Sequence, residues 1–218
     1  MVKCETREIL VPAHSEIVLE GEIPLGKMEE EGPYGEMYGF MGLKKPQNFF
    51  MNIKAITHRN NPWIVNSFAG VTKISPSILQ TVINSIDYKE SIPHLLDIYR
   101  PAESTGVLVA SIDKKHAGEG MSAGRILAEK DFFGKVIIVV DKDVDVHDKA
   151  EIFQALGTRW QPYPAAEIIE ETKGMPLDAS APKRFFTSKI IIDATRQFTN
   201  EGGPSIWPEI SKVMLQEL

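Results

Sequence analysis

The sequence holds one cysteine, Cys4, in 218 residues, so no disulfide can close within the chain. A reducing cytoplasm is the simplest compartment for such a chain. No apolar run reaches the roughly 18 residues that a membrane helix needs. The first eight residues, Met-Val-Lys-Cys-Glu-Thr-Arg-Glu, lack the apolar core of a signal peptide. Lysine and arginine total 24 against 30 acidic residues, and no basic stripe with interleaved aromatics occurs. Nucleic acid is therefore excluded as the main partner. The histidines His14, His58, His94, His116 and His147 do not stand at the spacing of a zinc motif. Walker and GxGxxG loops are missing too. What remains is an average globular composition, 43% hydrophobic and 25% charged, long enough to bury a core.

The pattern changes near residue 75. Before it the chain reads as β-rich. Ile9, Val11, Ile17, Leu19 and Ile23 fall at odd positions, the period of a half-buried strand, and Pro12-Ala13-His14-Ser15 divides the run into two short strands. Residues 49–55 and 63–68 are further strand candidates on either side of a turn at 58–62. After it, helix and strand alternate. Ser75-Pro76 opens a helix with Ile78, Leu79, Val82, Ile83 and Ile86 at helical spacing. Buried strands are expected at 105–112, 136–140 and 190–192, and a short helix at 122–130. Asp148 caps another helix through about Leu156, with Glu151 at the capping-box position. This alternation argues for an open α/β sheet. The tail from Phe198 ends in a short amphipathic helix, expected to dock on a neighbouring subunit or on its own domain.

The segment Glu31-Gly32-Pro33-Tyr34-Gly35-Glu36 sets two carboxylates five residues apart around a turn that cannot be helix. Pro33 fixes its own φ and keeps Gly32 out of the α region, and Gly32 and Gly35 can take positive φ. Two carboxylates drawn towards one site repel, so one tends to a raised pKa and suits general acid/base work. Spacing alone also fits a surface hairpin with two solvated glutamates, the commoner arrangement.

Two other patterns have plainer explanations. Asp141, Asp143 and Asp145 mimic the start of a calcium loop, but Val146 stands where glycine is needed and Ile152 where glutamate is needed. Carboxylates at a strand end that cap the next helix are the alternative. A weaker one is a hinge or interface role at the strands' carboxyl edge. The basic, glycine-containing run 114–120 could meet a phosphate, although a solvated loop is its default reading.

Four segments together carry a resemblance: Glu31-Gly32-Pro33-Tyr34-Gly35-Glu36, Lys54-Ala55-Ile56-Thr57-His58-Arg59, the stretch from Lys135 through Asp141, Asp143, Asp145 and Asp148 to Thr158-Arg159, and Ile190-Ile191-Ile192-Asp193-Ala194-Thr195. In order and spacing they resemble the UbiD family of decarboxylases and carboxylases that use prenylated flavin mononucleotide. The resemblance spans nearly the whole chain but only the C-terminal half of a family member. It implies residues 1–75 as the C-terminal portion of a split β-barrel and 76–218 as an α/β oligomerisation domain. It further implies Glu36 as proton donor and Glu31 in a Glu-Arg-Glu network whose arginine lies outside this chain. Met37 and Leu156 are expected to line the substrate pocket, and Lys114 to contact the flavin phosphate. Among the histidines, His58 near the barrel mouth is the best functional candidate. Manganese and potassium are expected in the complete enzyme, with ligands outside this chain. The implied reaction is loss or addition of CO2 on an aromatic or α,β-unsaturated acid. The implied partner is a second subunit or the missing N-terminal half, and without it the chain is expected to be inactive. The chain is then a natural small subunit, a truncated form or a degenerate relative. The alternative is a non-catalytic oligomerisation or regulatory subunit, against which the intact Glu31 and Glu36 speak.

Overall fold

The computed structural model describes residues 1–66, 68–70 and 76–210. In chain order the first half contributes β1 (Val2–Lys3), β2 (Leu10–Val11), β3 (Ile17–Glu22), β4 (Glu29–Glu31), β5 (Lys45–Asn48) and β6 (Asn52–His58). They form antiparallel pairs, β1 with β2, β3 with β6 and β4 with β5. No closed barrel forms among the described residues. The strand expected from residue 49 begins at Asn52, and residues 63–66 carry no strand. The Trp63 N–H instead donates to the Glu16 carboxylate at 3.0 Å.

Alternation in β3 is real, yet its apolar side is the outer one. Ile17 and Leu19 are exposed, whereas Glu20 is buried and accepts from the N–H groups of Glu5 and Thr6 and from the Thr6 hydroxyl. Three donors repay the desolvation of that carboxylate. The apolar face has no second layer within the described chain.

The second half contributes α1 (Pro76–Ser91), β7 (Leu95–Tyr99), β8 (Val107–Ile112), α2 (Glu119–Lys130), β9 (Val136–Asp141), α3 (Lys149–Thr158), β10 (Ala166–Lys173) and β11 (Phe186–Asp193). The sheet order is β10-β11-β9-β8-β7, with β8, β9 and β11 parallel at the centre and antiparallel strands at both edges. Alternate residues of the central strands feed opposite faces. Leu108, Ala110, Ile137, Val139 and Ile191 pack with Tyr88, Ile92, Ala123 and Leu127 from the α1 and α2 side. Val109, Ile138, Val140 and Ile192 pack with Ile152 and Ala155 of α3. Burial on both faces explains the near-continuous β-branched runs. Edge strands β7 and β10 escape the pattern because they carry charged residues (Asp97; Glu167, Glu170 and Glu171).

Helix α1 begins at Pro76, but its apolar stripe points outward. Leu79, Val82, Ile83 and Ile86 are each more than half exposed, while Thr81 and Tyr88 meet the body. At α3, Asp148 accepts from the Ala150 N–H at 2.8 Å, and Glu151 accepts from the Asp145 N–H at 2.8 Å. The tail folds back on its own half, where Trp207 Nε1 donates to the Gln197 carbonyl at 3.0 Å. The amphipathic helix expected at its end lies outside the described residues.

Among the described residues one ion pair sits wholly inside. Arg100 and Asp131 are salt-bridged with both side chains fully buried. Arg100 Nε donates to Thr81 Oγ1 and Tyr88 Oη donates to Asp131 Oδ2. Asp131 Oδ1 caps the turn after α2 by accepting from the N–H groups of Phe133 and Gly134. Asp131→Ala strands a buried guanidinium and is expected to cost about 3–5 kcal/mol, read from urea unfolding. A midpoint within error of the parent would remove this pair from the fold's foundation.

Candidate functional site

The two glutamates lie on one hairpin. Glu31 ends β4 and pairs in register with Lys45 of β5. Gly32 takes φ +76°, a left-handed conformation that glycine allows without steric cost. The chain reverses at a tight turn in which the Gly39 N–H donates to the Glu36 carbonyl at 2.9 Å and the Glu36 N–H to the Phe40 carbonyl at 2.8 Å. Met37 and Tyr38 are the central residues of that turn. The second left-handed glycine is Gly39, at φ +86°, and not Gly35, which forms a bridge with Met41 instead.

Glu31 accepts from Lys45 Nζ at 2.7 Å and from the Asn48 side-chain amide. These two donors hold its carboxyl below the ordinary 4.5. The raised pKa expected of one member of a carboxylate pair is therefore not found at Glu31, because the charge beside it is an ammonium. Glu36 is half-buried and lies across Gly42. A Cβ there would come within 2.8 Å of Glu36 Oε1, so any larger residue would make the Glu36 side chain shift.

The other residues singled out from sequence are spread more widely. The Met37 carbonyl accepts from Thr105 Oγ1 at 2.7 Å. Leu156 is half-buried on α3, against the core on that side of the sheet. Lys114 is buried and committed internally, with Glu201 at 2.8 Å and Thr195 Oγ1 at 2.9 Å. The following loop is equally occupied. Glu119 accepts from the N–H groups of Lys115 and His116, and Glu201 from that of Gly118. The backbone donors that a phosphate would use already hold carboxylates. His58 is exposed, its Nδ1 2.8 Å from the Arg59 carbonyl oxygen.

The aspartates after β9 are ion-pair partners. Arg159 bridges Asp141 at 3.1 Å and Asp143 at 2.7 Å, and Arg196 reaches Asp143 at 2.8 Å. Burial pushes Asp141 above its ordinary value, whereas Arg159 and Arg196 bring Asp143 below its own despite partial burial. Both arginines follow a threonine, in Thr158-Arg159 and Thr195-Arg196, so one dipeptide pattern supplies both cations. A crevice of about 350 Å³ opens here at the carboxyl ends of β8, β9 and β11, lined by Asp113, Lys114, Asp141, Arg196, Phe198 and Trp207. Among the described residues no group of three or more His, Cys, Asp or Glu could hold a metal ion. No described helix is long and apolar enough to cross a membrane.

Two family models account for most of the chain. Residues 1–72 match the 3-octaprenyl-4-hydroxybenzoate carboxy-lyase Rift-related domain, and residues 77–194 match the C-terminal domain of the same carboxy-lyase. The chain belongs to the UbiD family. The structure is similar to the UbiD-class enzyme HmfF of Pelotomaculum thermopropionicum in complex with FMN, with 28% identity and a TM-score of 0.76 over 98% of this chain and 48% of that one. An evolved dimeric form of HmfF in complex with prFMN matches with 28% identity and a TM-score of 0.69, over 96% of this chain and 45% of that one. Vanillic acid decarboxylase of Sedimentibacter hydroxybenzoicus, in an open form with truncated ShVdcD, matches with 30% identity and a TM-score of 0.75 over 99% and 47%. The UbiD-family chain described here thus spans about half the length of the solved relatives it matches.

Glu31 keeps its charge in the fold at pH values where an unperturbed glutamate takes up a proton. Its contacts therefore stabilise the hairpin fully above the ordinary 4.5 and are lost as pH falls through the lowered value. Lys45→Met is expected to move the Glu31 midpoint upward in an NMR titration. An unmoved midpoint would show that the ammonium is not the cause.

Proposed function

We propose that this chain is the C-terminal component of a UbiD-type decarboxylase or carboxylase acting on an aromatic or α,β-unsaturated carboxylic acid. The observation that carries the reading is that one hairpin bears both Glu31 and Glu36, in a chain whose residues 1–72 and 77–194 match this family's models. In this reading Glu36 delivers the proton to the carbon vacated by CO2. Its carboxyl is free of a cationic partner among the contacts described above, which suits a group that must gain and release a proton. Glu31, kept ionised by Lys45 and Asn48, is the fixed negative charge of the pair and joins a network completed by an arginine from outside the chain. Met37 and Leu156 line the substrate pocket. The division near residue 75 separates the hairpin-bearing domain from an α/β oligomerisation domain.

A bound prenylated flavin would supply the electron sink for the carbon losing CO2. The loop after β8 does not fit its phosphate, since Lys114 and the loop N–H groups are already engaged by Glu201 and Glu119. Holding the flavin falls to the N-terminal half or partner subunit, and the same holds for manganese and potassium. The exposed apolar faces of β3 and α1 suit a chain that completes its layers against such a partner. A reducing cytoplasm suits the free Cys4. The second reading, a non-catalytic oligomerisation or regulatory subunit, draws on the same exposed faces.

In the assembled enzyme, Glu36→Gln is expected to abolish CO2 release while leaving flavin absorbance unchanged. Parent-like turnover by that variant removes Glu36 as proton donor. Native mass spectrometry of the protein from its own source separates the two readings. A hetero-oligomer with flavin absorbance supports the split enzyme, and a colourless homo-oligomer supports the non-catalytic subunit.

A further inference from the structure

Glu36 occupies the first corner of a turn whose two central residues are both tied to loops of the α/β half. Tyr38 Oη donates to the Phe133 carbonyl at 2.6 Å, and Thr105 Oγ1 donates to the Met37 carbonyl at 2.7 Å. Both anchoring residues are held in turn by a single buried group. The Phe133 N–H donates to Asp131 Oδ1 at 3.0 Å, and the Thr105 carbonyl accepts from the Arg100 guanidinium. Arg100 and Asp131 are each other's ion-pair partners. Hydrogen bonds therefore run from the hairpin tip to the most buried charge pair of the other half, by two routes that meet there. Burial pushes the Tyr38 phenol above its ordinary value, so it stays a donor at any working pH. Among the described residues β4 and β5 pair only with each other, so no third strand supports the root of the hairpin there.

We propose that Tyr38 and Thr105 are positioning residues for Glu36: they tie the hairpin tip to the loops that lead into β8 and β9, so that the α/β half, and not the hairpin's own strands, places the carboxyl. The inference rests on the reading of Glu36 as proton donor. A two-stranded hairpin is at best marginally stable by itself. An ångström of misplacement at a reacting group can cost about 100-fold in rate. Two hydroxyls that fix the neighbouring turn residues remove that freedom at the place where it matters.

The test uses the assembled enzyme and the full 218-residue chain. Tyr38→Phe and Thr105→Val each delete one hydroxyl and keep the side-chain shape. Each is expected to lower kcat about 10-fold with KM within about two-fold, because only the placement of the donor changes. The solvent deuterium isotope effect on kcat should rise in both, as proton delivery becomes slower relative to the other steps. Thr105→Ser keeps the donor and should restore both quantities. In the chain, amide exchange across residues 31–42 should speed up about 10-fold in Tyr38→Phe while peptides from β8 and β9 stay as in the parent.

Parent-like exchange at 31–42 would overturn the anchoring, and so would a rise shared equally by β8 and β9, which would indicate a purely structural role. An inactive Glu36→Gln together with parent-like kcat and isotope effect in Tyr38→Phe and Thr105→Val would also overturn it, leaving the proton-donor reading intact. An active Glu36→Gln would instead overturn the proton-donor reading, and the exchange data would still decide whether the hairpin is anchored.

Discussion

Arg100 and Asp131 meet without solvent on either side chain, and a large share of the second half is arranged to make that possible. The pair draws donors and acceptors from α1 through Thr81 and Tyr88, from the loop before β8 through Thr105, and from the turn after α2 through Phe133 and Gly134. Lys189 of β11 adds two bonds, to the carbonyls of Ala128 and Asp131, both at 2.6 Å. Burial lowers the pKa of that lysine. A charge pair of this kind is tolerated only when nearly every polar atom is satisfied, and that requirement fixes the relative placement of the elements that satisfy it.

The same cluster links the halves of the chain. Met37 and Tyr38 rest on residues that the pair itself holds, so the hairpin with Glu31 and Glu36 inherits its orientation from the sheet. The rest of the first half has little internal support. Its strands are paired in twos, and Leu25, Leu43, Trp63 and Val65 are almost fully exposed. This much uncovered apolar surface accompanies a chain that covers about half of the relatives' length.

How legible this was depended on the kind of residue. The runs at 136–140 and 190–192 could be read as central strands because burial on both faces demands uninterrupted β-branched residues. The helix from Pro76 was equally visible, but the direction of its stripe was not: periodicity reports that one side of a helix is apolar without saying what lies against that side. The same applies to β3, whose alternation was visible while the buried side proved to be the one with Glu20. Edge strands β7 and β10 escaped because an edge strand tolerates charge. Arg100, Asp131, Tyr38 and Thr105 escaped because nothing local marks them. They are far apart in sequence, and each is common on surfaces.

By itself the sequence determined the family, the α/β character of the second half, and a non-helical turn segment that carries Glu31 and Glu36. All three are local properties of residue order, since strand burial, turn chemistry and motif spacing leave short-range patterns. Only the tertiary structure decided that Lys45 and Asn48 keep Glu31 ionised, that Asp141 and Asp143 are partnered by Arg159 and Arg196, that Lys114 is spent on Glu201, and that the hairpin tip is tied to residues held by a buried ion pair. Those outcomes depend on which charges and donors meet across tens of residues, and desolvation and hydrogen bonding select among such meetings only once the chain has folded.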